Sequence, residues 1–227
     1  MTSPLTLPQA LLLLTLQDES GSPKAGFYKP AIAGAAISEL LLRGALTVSD
    51  AKKPELLITH SLDSQGAFLD LIMAEIAESK KPRDLQSWVT RLGNHKALVP
   101  TLADELCDLG ALKKETSKLF GVFTRSTWPE ASPRLESDLK DQLQAAITGD
   151  GGIDERLSVM IALADSADVL RHNFDRALLK TNKARIKAIK DGDLLATGAT
   201  VASVEAARTA IMTTIVAGAV IPTVTAP

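Results

Sequence analysis

The chain has 227 residues, with 25 Lys and Arg against 27 Asp and Glu, and its formal charge of -2 gives no global attraction to nucleic acid or an anionic membrane. Any such binding has to come from a local patch. The single cysteine, Cys107, excludes an internal disulfide and a zinc site built on thiolates, and it fits a reducing compartment.

A chain of this length can hide roughly 70–75% of its unfolded surface, so a sizeable core needs no staples. In chain order, Thr6 with Gln9 three residues on and Pro8 in the first turn reads as a capping-box start for a helix through Leu16. Leu11, Leu12, Leu13, Leu14 and Leu16 point most of the way round it, so it is largely buried. No basic residue precedes this run, which therefore lacks the charged start of a signal peptide. Turn residues fill Asp18 to Gly26. A second helix starts near Pro30 and stops at Arg43-Gly44, where Gly44 suits a C-terminal cap.

Leu46 to Val48 and Leu56 to Thr59 are short candidate strands. Phe68, Leu69, Leu71, Ile72, Ile76 and Ala77 recur at helical spacing until Pro82 ends the pattern. Further helices are expected from Arg83 to Leu92, closed by Gly93, and from Pro100 to Leu109, closed by Gly110. Ala111 to Lys114 and Lys118 to Thr124 then read as the strands of a hairpin. Helix, turn, helix, hairpin over residues 83–125 is the order of a winged helix.

Ser132-Pro133 opens a helix carrying Leu135, Leu139, Leu143 and Ile147 on one stripe. The stretch from Asp154 to Phe174 has almost no polar face between Leu157 and Leu170. A helix apolar nearly all round is buried, and Asp165 and Asp168 interrupt a run already too short for a membrane span. It is expected to be the central helix. A basic helix from about Arg176 to Lys190 follows, and then a final apolar helix from Ser203 to about Val220. The expected fold is mainly α: one domain, residues 1–227, of amphipathic helices around a buried hydrophobic helix, with short β-hairpins and a winged-helix-like segment.

No catalytic constellation emerges. Gly149-Asp150-Gly151-Gly152 before a helix invites a phosphate-loop reading, but Ile153-Asp154-Glu155 follows where Gly-Lys-Ser/Thr is needed. Ser166, Asp168 and His172 have the residue types of a triad, yet Ser166 lies about 200° round a helix from Asp168. His60 and His95 have no carboxylate at metal-ligand spacing, so no metal and no cofactor is expected. Nucleic acid is disfavoured because Pro100 to Leu109 has no Lys or Arg and carries Asp104, Glu105 and Asp108. The basic helix of Arg176, Lys180, Lys183, Arg185, Lys187 and Lys190 reads first as a solvated face, and alternatively as a contact for an anionic membrane.

Four stretches, LTLPQALLLLTLQDESG from Leu5, ELLLRGAL from Glu39, LADELCDLGAL from Leu102 and RLSVMIALADSADVL from Arg156, carry a resemblance in their residues and their order. Together they resemble the Golgi phosphoprotein family of peripheral Golgi adaptors that bind phosphatidylinositol 4-phosphate, and the short segment before Leu5 points to its bacterial relatives. The resemblance covers essentially the whole chain from Leu5. It implies a mainly helical domain with a hydrophobic helix inside, a protruding hairpin, and no enzymatic activity. The hairpin, implicated in membrane contact and self-association, matches Lys118 to Pro129, with Phe120, Phe123 and Trp128 in that role.

Residue by residue, the implied head-group site is thinly kept. The family's basic positions fall on Ala33, Lys96 and Val99, so only Lys96 keeps its charge. Its tryptophan has no counterpart in Ser22 to Pro30, where Phe27 or Tyr28 stands in its place. Two missing charge-assisted bonds, about 1.5–3 kcal/mol each, weaken binding by more than about a hundredfold; Lys24 and Lys29 offer compensating charge from the same loop. The expectation is a non-enzymatic, cytoplasmic adaptor, peripheral on a membrane's cytoplasmic face, that binds phosphoinositide or other anionic lipid heads through Lys96, Lys24, Tyr28 and Lys29. The alternative is a protein-interaction scaffold that has lost the lipid site and works through protein partners or self-association.

Overall fold

The computed structural model of the chain describes residues 5–49, 54–59, 64, 66–119 and 123–195. Helix α1 (Leu7–Thr15) starts as its sequence dictates: the Gln9 amide donates to Thr6 Oγ1 at 3.3 Å and the Thr6 amide to Gln9 Oε1 at 2.9 Å. Every α1 residue except Gln9 is buried. Helix α2 (Tyr28–Leu42) is buried without a break from Ala31 to Leu41. Its AIAGAAI run has small side chains on all sides, so neighbours approach closely, and α1 packs along it.

Strands β1 (Leu46–Val48) and β2 (Leu56–Ile58) pair antiparallel, with Thr47 opposite Leu57. Helix α3 (Ala67–Ala77) follows, then α4 (Leu85–Gly93), which Asp84 caps by accepting the Ser87 amide at 2.7 Å. Helix α5 (Leu98–Asp108) comes next. Glu105 on α5 accepts the Phe68 amide at 2.8 Å and Gln9 Nε2 at 3.0 Å, which ties α1, α3 and α5 together. Gly93 ends α4 as a contact point, not as the expected cap, since Asn94 takes that position. The order of α4, α5 and the hairpin after them is that of the winged-helix-like segment.

The hairpin strands are β3 (Glu115–Leu119) and β4 (Phe123–Thr127), with Glu115 opposite Thr127. Both expected strands are displaced: Ala111 to Lys114 precede β3, and Lys118 and Leu119, expected in the second strand, belong to the first. Ala111 and Leu112 are apolar because they anchor in the core, not because they alternate in a strand. Trp128 corrects another expectation: it is only 9% exposed and belongs to the core at the hairpin's base. There the loop after α1 presses backbone to backbone. Gly21 has φ +60, and a Cβ on it would lie 2.2 Å from the Trp128 carbonyl carbon.

Helix α6 (Arg134–Thr148) precedes α7 (Glu155–Ser166), which is buried from Ser158 to Ala164. The expected single helix through Phe174 does not form. Asp168 turns the chain with φ 62, and α8 (Val169–Asn173) restarts beyond it. The buried centre is therefore shared, with α7 packed on the more deeply enclosed α2. The basic helix is likewise two, α9 (Arg176–Thr181) and α10 (Lys183–Asp191), separated at Asn182. The apolar helix expected from Ser203 to Val220 lies outside the described residues.

One buried charge cluster joins distant parts of the fold. Glu39 on α2, 1% exposed, accepts the Leu7 amide at 2.8 Å and pairs with Arg43 at 2.7 Å and Arg156 at 2.8 Å. Arg156 also donates to the Leu5 carbonyl at 2.7 Å. Burial alone raises the Glu39 pKa; Arg156, the Leu7 amide and Arg43 outweigh it and hold the carboxyl below the usual range.

Candidate functional site

The start of α2 and the turn between α4 and α5 come together through Gly93. A Cβ there would stand 3.3 Å from the Pro30 Cα and 3.5 Å from the Lys29 carbonyl carbon, so any side chain would push the two elements apart. Lys29, in the first turn of α2, and Lys96, three residues beyond Gly93, are both exposed. Neither makes an ion pair or hydrogen bond among the described residues. Tyr28 beside Lys29 is half-buried, and that burial raises its phenol pKa.

The helix ends at this place add to its polarity. Phe27 precedes α2 and Ala97 precedes α5, and neither start has a side-chain cap. Each first turn has proline as its third residue, Pro30 and Pro100, which has no N–H, and the Leu98 amide donates to the His95 carbonyl at 3.1 Å, so only the remaining amides lend positive partial charge next to the two unpaired cations. Such an arrangement suits an anion. Reading the sequence for basic residues alone misses this contribution, although Phe27 and Ala97 in place of Ser, Thr, Asp or Asn signal it. His95 supports the turn from below, with Nε2 3.4 Å from Glu75 Oε1, while Arg91 holds the other Glu75 oxygen at 2.9 Å.

Lys24 does not join this group as a free cation. Its side chain is only 17% exposed, 3.2 Å from Asp18 in its own loop and 3.9 Å from Glu136 on α6, so its charge is spent between them. Ala33 is wholly buried, and Val99 is half-buried against the core. Of the three expected hairpin residues, Trp128 is in the core as described above. Phe120 lies outside the described residues, and of Phe123 only the backbone is described, paired with Leu119.

Other candidates are spoken for. Asp168 pairs with Arg171 at 3.3 Å and not with His172, so no triad assembles. The loop before α7 is no phosphate cradle: Asp154 accepts the Leu157 amide at 2.8 Å, and Arg185 clamps the Gly151 carbonyl at 2.7 Å. A cleft of about 410 Å³ between α1, α6 and α7 is lined by Leu7, Leu135, Leu139, Leu157 and Met160. The Arg156 at its rim is committed to Glu39. No group of His, Cys, Asp and Glu among the described residues could hold a metal ion.

Mainly helical, with small antiparallel hairpins and, among the described residues, no helix long and apolar enough to cross a membrane, the fold is that of a compact helical protein with a basic surface site. The family model described as Golgi phosphoprotein 3 (GPP34) matches residues 7–214, and the chain belongs to that family. No curated protein matches it significantly.

Proposed function

We propose that the protein is a non-enzymatic peripheral membrane adaptor, acting on a cytoplasmic membrane face, that binds phosphoinositide or other anionic lipid heads where α2 begins and α4 turns into α5. The observation carrying this reading is the pair of exposed, unpaired lysines, Lys29 and Lys96, beside two uncapped helix starts that Gly93 brings together. A lipid phosphate there would accept from both ammonium groups and from helix amides, and Tyr28 would flank the head group. The membership of the Golgi phosphoprotein family supports the same class of role.

Liposome co-sedimentation tests it. Vesicles containing phosphatidylinositol 4-phosphate should pull the protein down more strongly than vesicles of phosphatidylcholine alone. Lys96→Glu and Lys29→Glu should each weaken that difference about tenfold or more, given about 1.5–3 kcal/mol for a hydrogen bond to a charged group. Equal binding to both vesicle types would remove the reading.

A second reading has its own observation. Ala33 and Val99 put apolar, inward-facing side chains at two family basic positions, as expected of a scaffold that keeps the fold and works through protein partners or self-association. A partner whose capture depends on the β3–β4 hairpin and ignores lipid would favour it.

A further inference from the structure

A second basic surface remains that neither the head-group site nor the core uses. It is the tract formed by α9 and α10. On α9, Arg176 and Lys180 stand four residues apart, and on α10 Lys183 and Lys187 do the same, so each pair lies on one helical face. All four side chains are exposed. At the junction the Asn182 amide still donates to the Leu178 carbonyl at 3.1 Å, so the two pairs follow each other closely.

The inward side of the tract is distinct. Ile186 and Ile189 are buried, and Leu178 and Leu179 are half-buried against the core. Arg185 also turns inward, donating to the Ala146 and Gly151 carbonyls at 2.7 Å, and Lys190 pairs with Asp165. The exposed residues of the two helices are the cations Arg176, Lys180, Lys183 and Lys187, the small Ala177, Thr181 and Ala184, and Asp191 at the end of α10. Among the outward cations only Lys187 has a carboxylate partner, Asp191; Arg176, Lys180 and Lys183 have none among the described residues. Asp175 nearby is occupied in capping α9, accepting the Ala177 amide at 2.6 Å. No residue of α9 is fully buried, and its two cations, Arg176 and Lys180, lie away from the half-buried Leu178 and Leu179.

We infer that this tract is a second membrane contact, a purely electrostatic one for a diffuse anionic phospholipid surface of the phosphatidylserine kind. The charge complementarity is local: the chain as a whole is at -2, so attraction arises only where these cations come within a Debye length, about 10 Å at 0.1 M salt, of the partner. A flat lipid surface fits a face of cations and small side chains, which offers no cavity for one head group and no large apolar side chain to insert. The helices of the tract carry no aromatic ring to stack on bases, and the one amide side chain at their junction, Asn182, donates to the Leu178 carbonyl at 2.9 Å. This inference rests on the peripheral-membrane reading above but uses different residues. Helix α2, which carries Lys29, packs on α7, and α7 packs on α10, so α7 stands between the helices carrying the two basic surfaces.

The test separates the two surfaces. Binding of the full chain is measured on phosphatidylcholine vesicles with added phosphatidylserine and no phosphoinositide, and in parallel on vesicles with phosphatidylinositol 4-phosphate as the sole anionic lipid. The triple variant Arg176→Glu, Lys180→Glu, Lys183→Glu should lose about a hundredfold or more in affinity for phosphatidylserine vesicles, since each cation near such a surface is worth about fivefold. The triple alanine variant should show a smaller loss in the same direction, and added salt should abolish parental binding. Lys96→Glu should weaken the response to phosphatidylinositol 4-phosphate by a larger factor than it weakens phosphatidylserine binding, and the triple variant should do the reverse, so failure of either surface is seen separately. Undiminished phosphatidylserine binding in both triple variants would overturn the inference. So would a parent chain that ignores these vesicles, whether or not it binds duplex DNA.

Discussion

Glu39 has three partners from three parts of the chain, and its role is open to direct measurement. Removing its charge leaves Arg156 half-buried without its carboxylate, which in comparable buried pairs costs about 3–5 kcal/mol. Glu39→Gln should therefore lower denaturant-midpoint stability by that order at neutral pH. Because the folded pKa is depressed, the Glu39 contribution is fully present above the unfolded value, about 4.3, and is lost as pH falls through the folded one. The parent should lose stability on acidification over that window, and the variant should lose less. A parallel acid limb in the two proteins would contradict this role. Lys24 teaches a different lesson at the same scale: its charge was legible in the sequence, but its burial between Asp18 at 3.2 Å and Glu136 on α6 at 3.9 Å was not.

Among the elements, two glycines govern how pieces meet. Gly93→Val would drive α4 from the start of α2, against backbone that cannot yield as a side-chain tip does. It should cost about 1–3 kcal/mol and weaken lipid binding along with Lys96→Glu, a coupling that thermal melts and co-sedimentation read independently. Gly21→Ala faces both a positive φ and the Trp128 backbone at 2.2 Å. It should cost at least about 1 kcal/mol and loosen the hairpin's base, seen as faster amide exchange in β3 and β4. Local signals made some elements readable: Thr6, Pro8 and Gln9 define the start of α1, and the short apolar runs define β1 and β2. The break at Asp168 was not readable, since neither glycine nor proline marks it. The strand pattern failed at Ala111 and Leu112 because core anchoring and strand alternation look alike over so few residues.

For the whole molecule, the mainly helical class follows from helical apolar periodicity, and the chain's family from motifs spread along it. What the sequence could not order was the centre: α2 and the stretch from Asp154 both read as apolar, and only packing shows α2 the more enclosed. The candidate site was partly legible. Lys96 and Lys29 were visible as basic residues, but their meeting depends on Gly93, and their helix-end setting on which caps are missing. Trp128 shows the opposite failure, since an aromatic residue near a protruding hairpin reads as a contact until its burial is known.

The Glu39 cluster also sets an order of events during synthesis. Glu39 and Arg156 are 117 residues apart in the chain, so a ribosome adding about 5–20 residues per second makes the acid several seconds before its cation. Through that interval Glu39 has only Arg43 and the Leu7 amide as partners, and the surfaces of α1 and α2 that meet α7 are uncovered. The apolar faces of α1 and α2 thus wait for α7, and its docking on them is a late step in the assembly of this part of the fold.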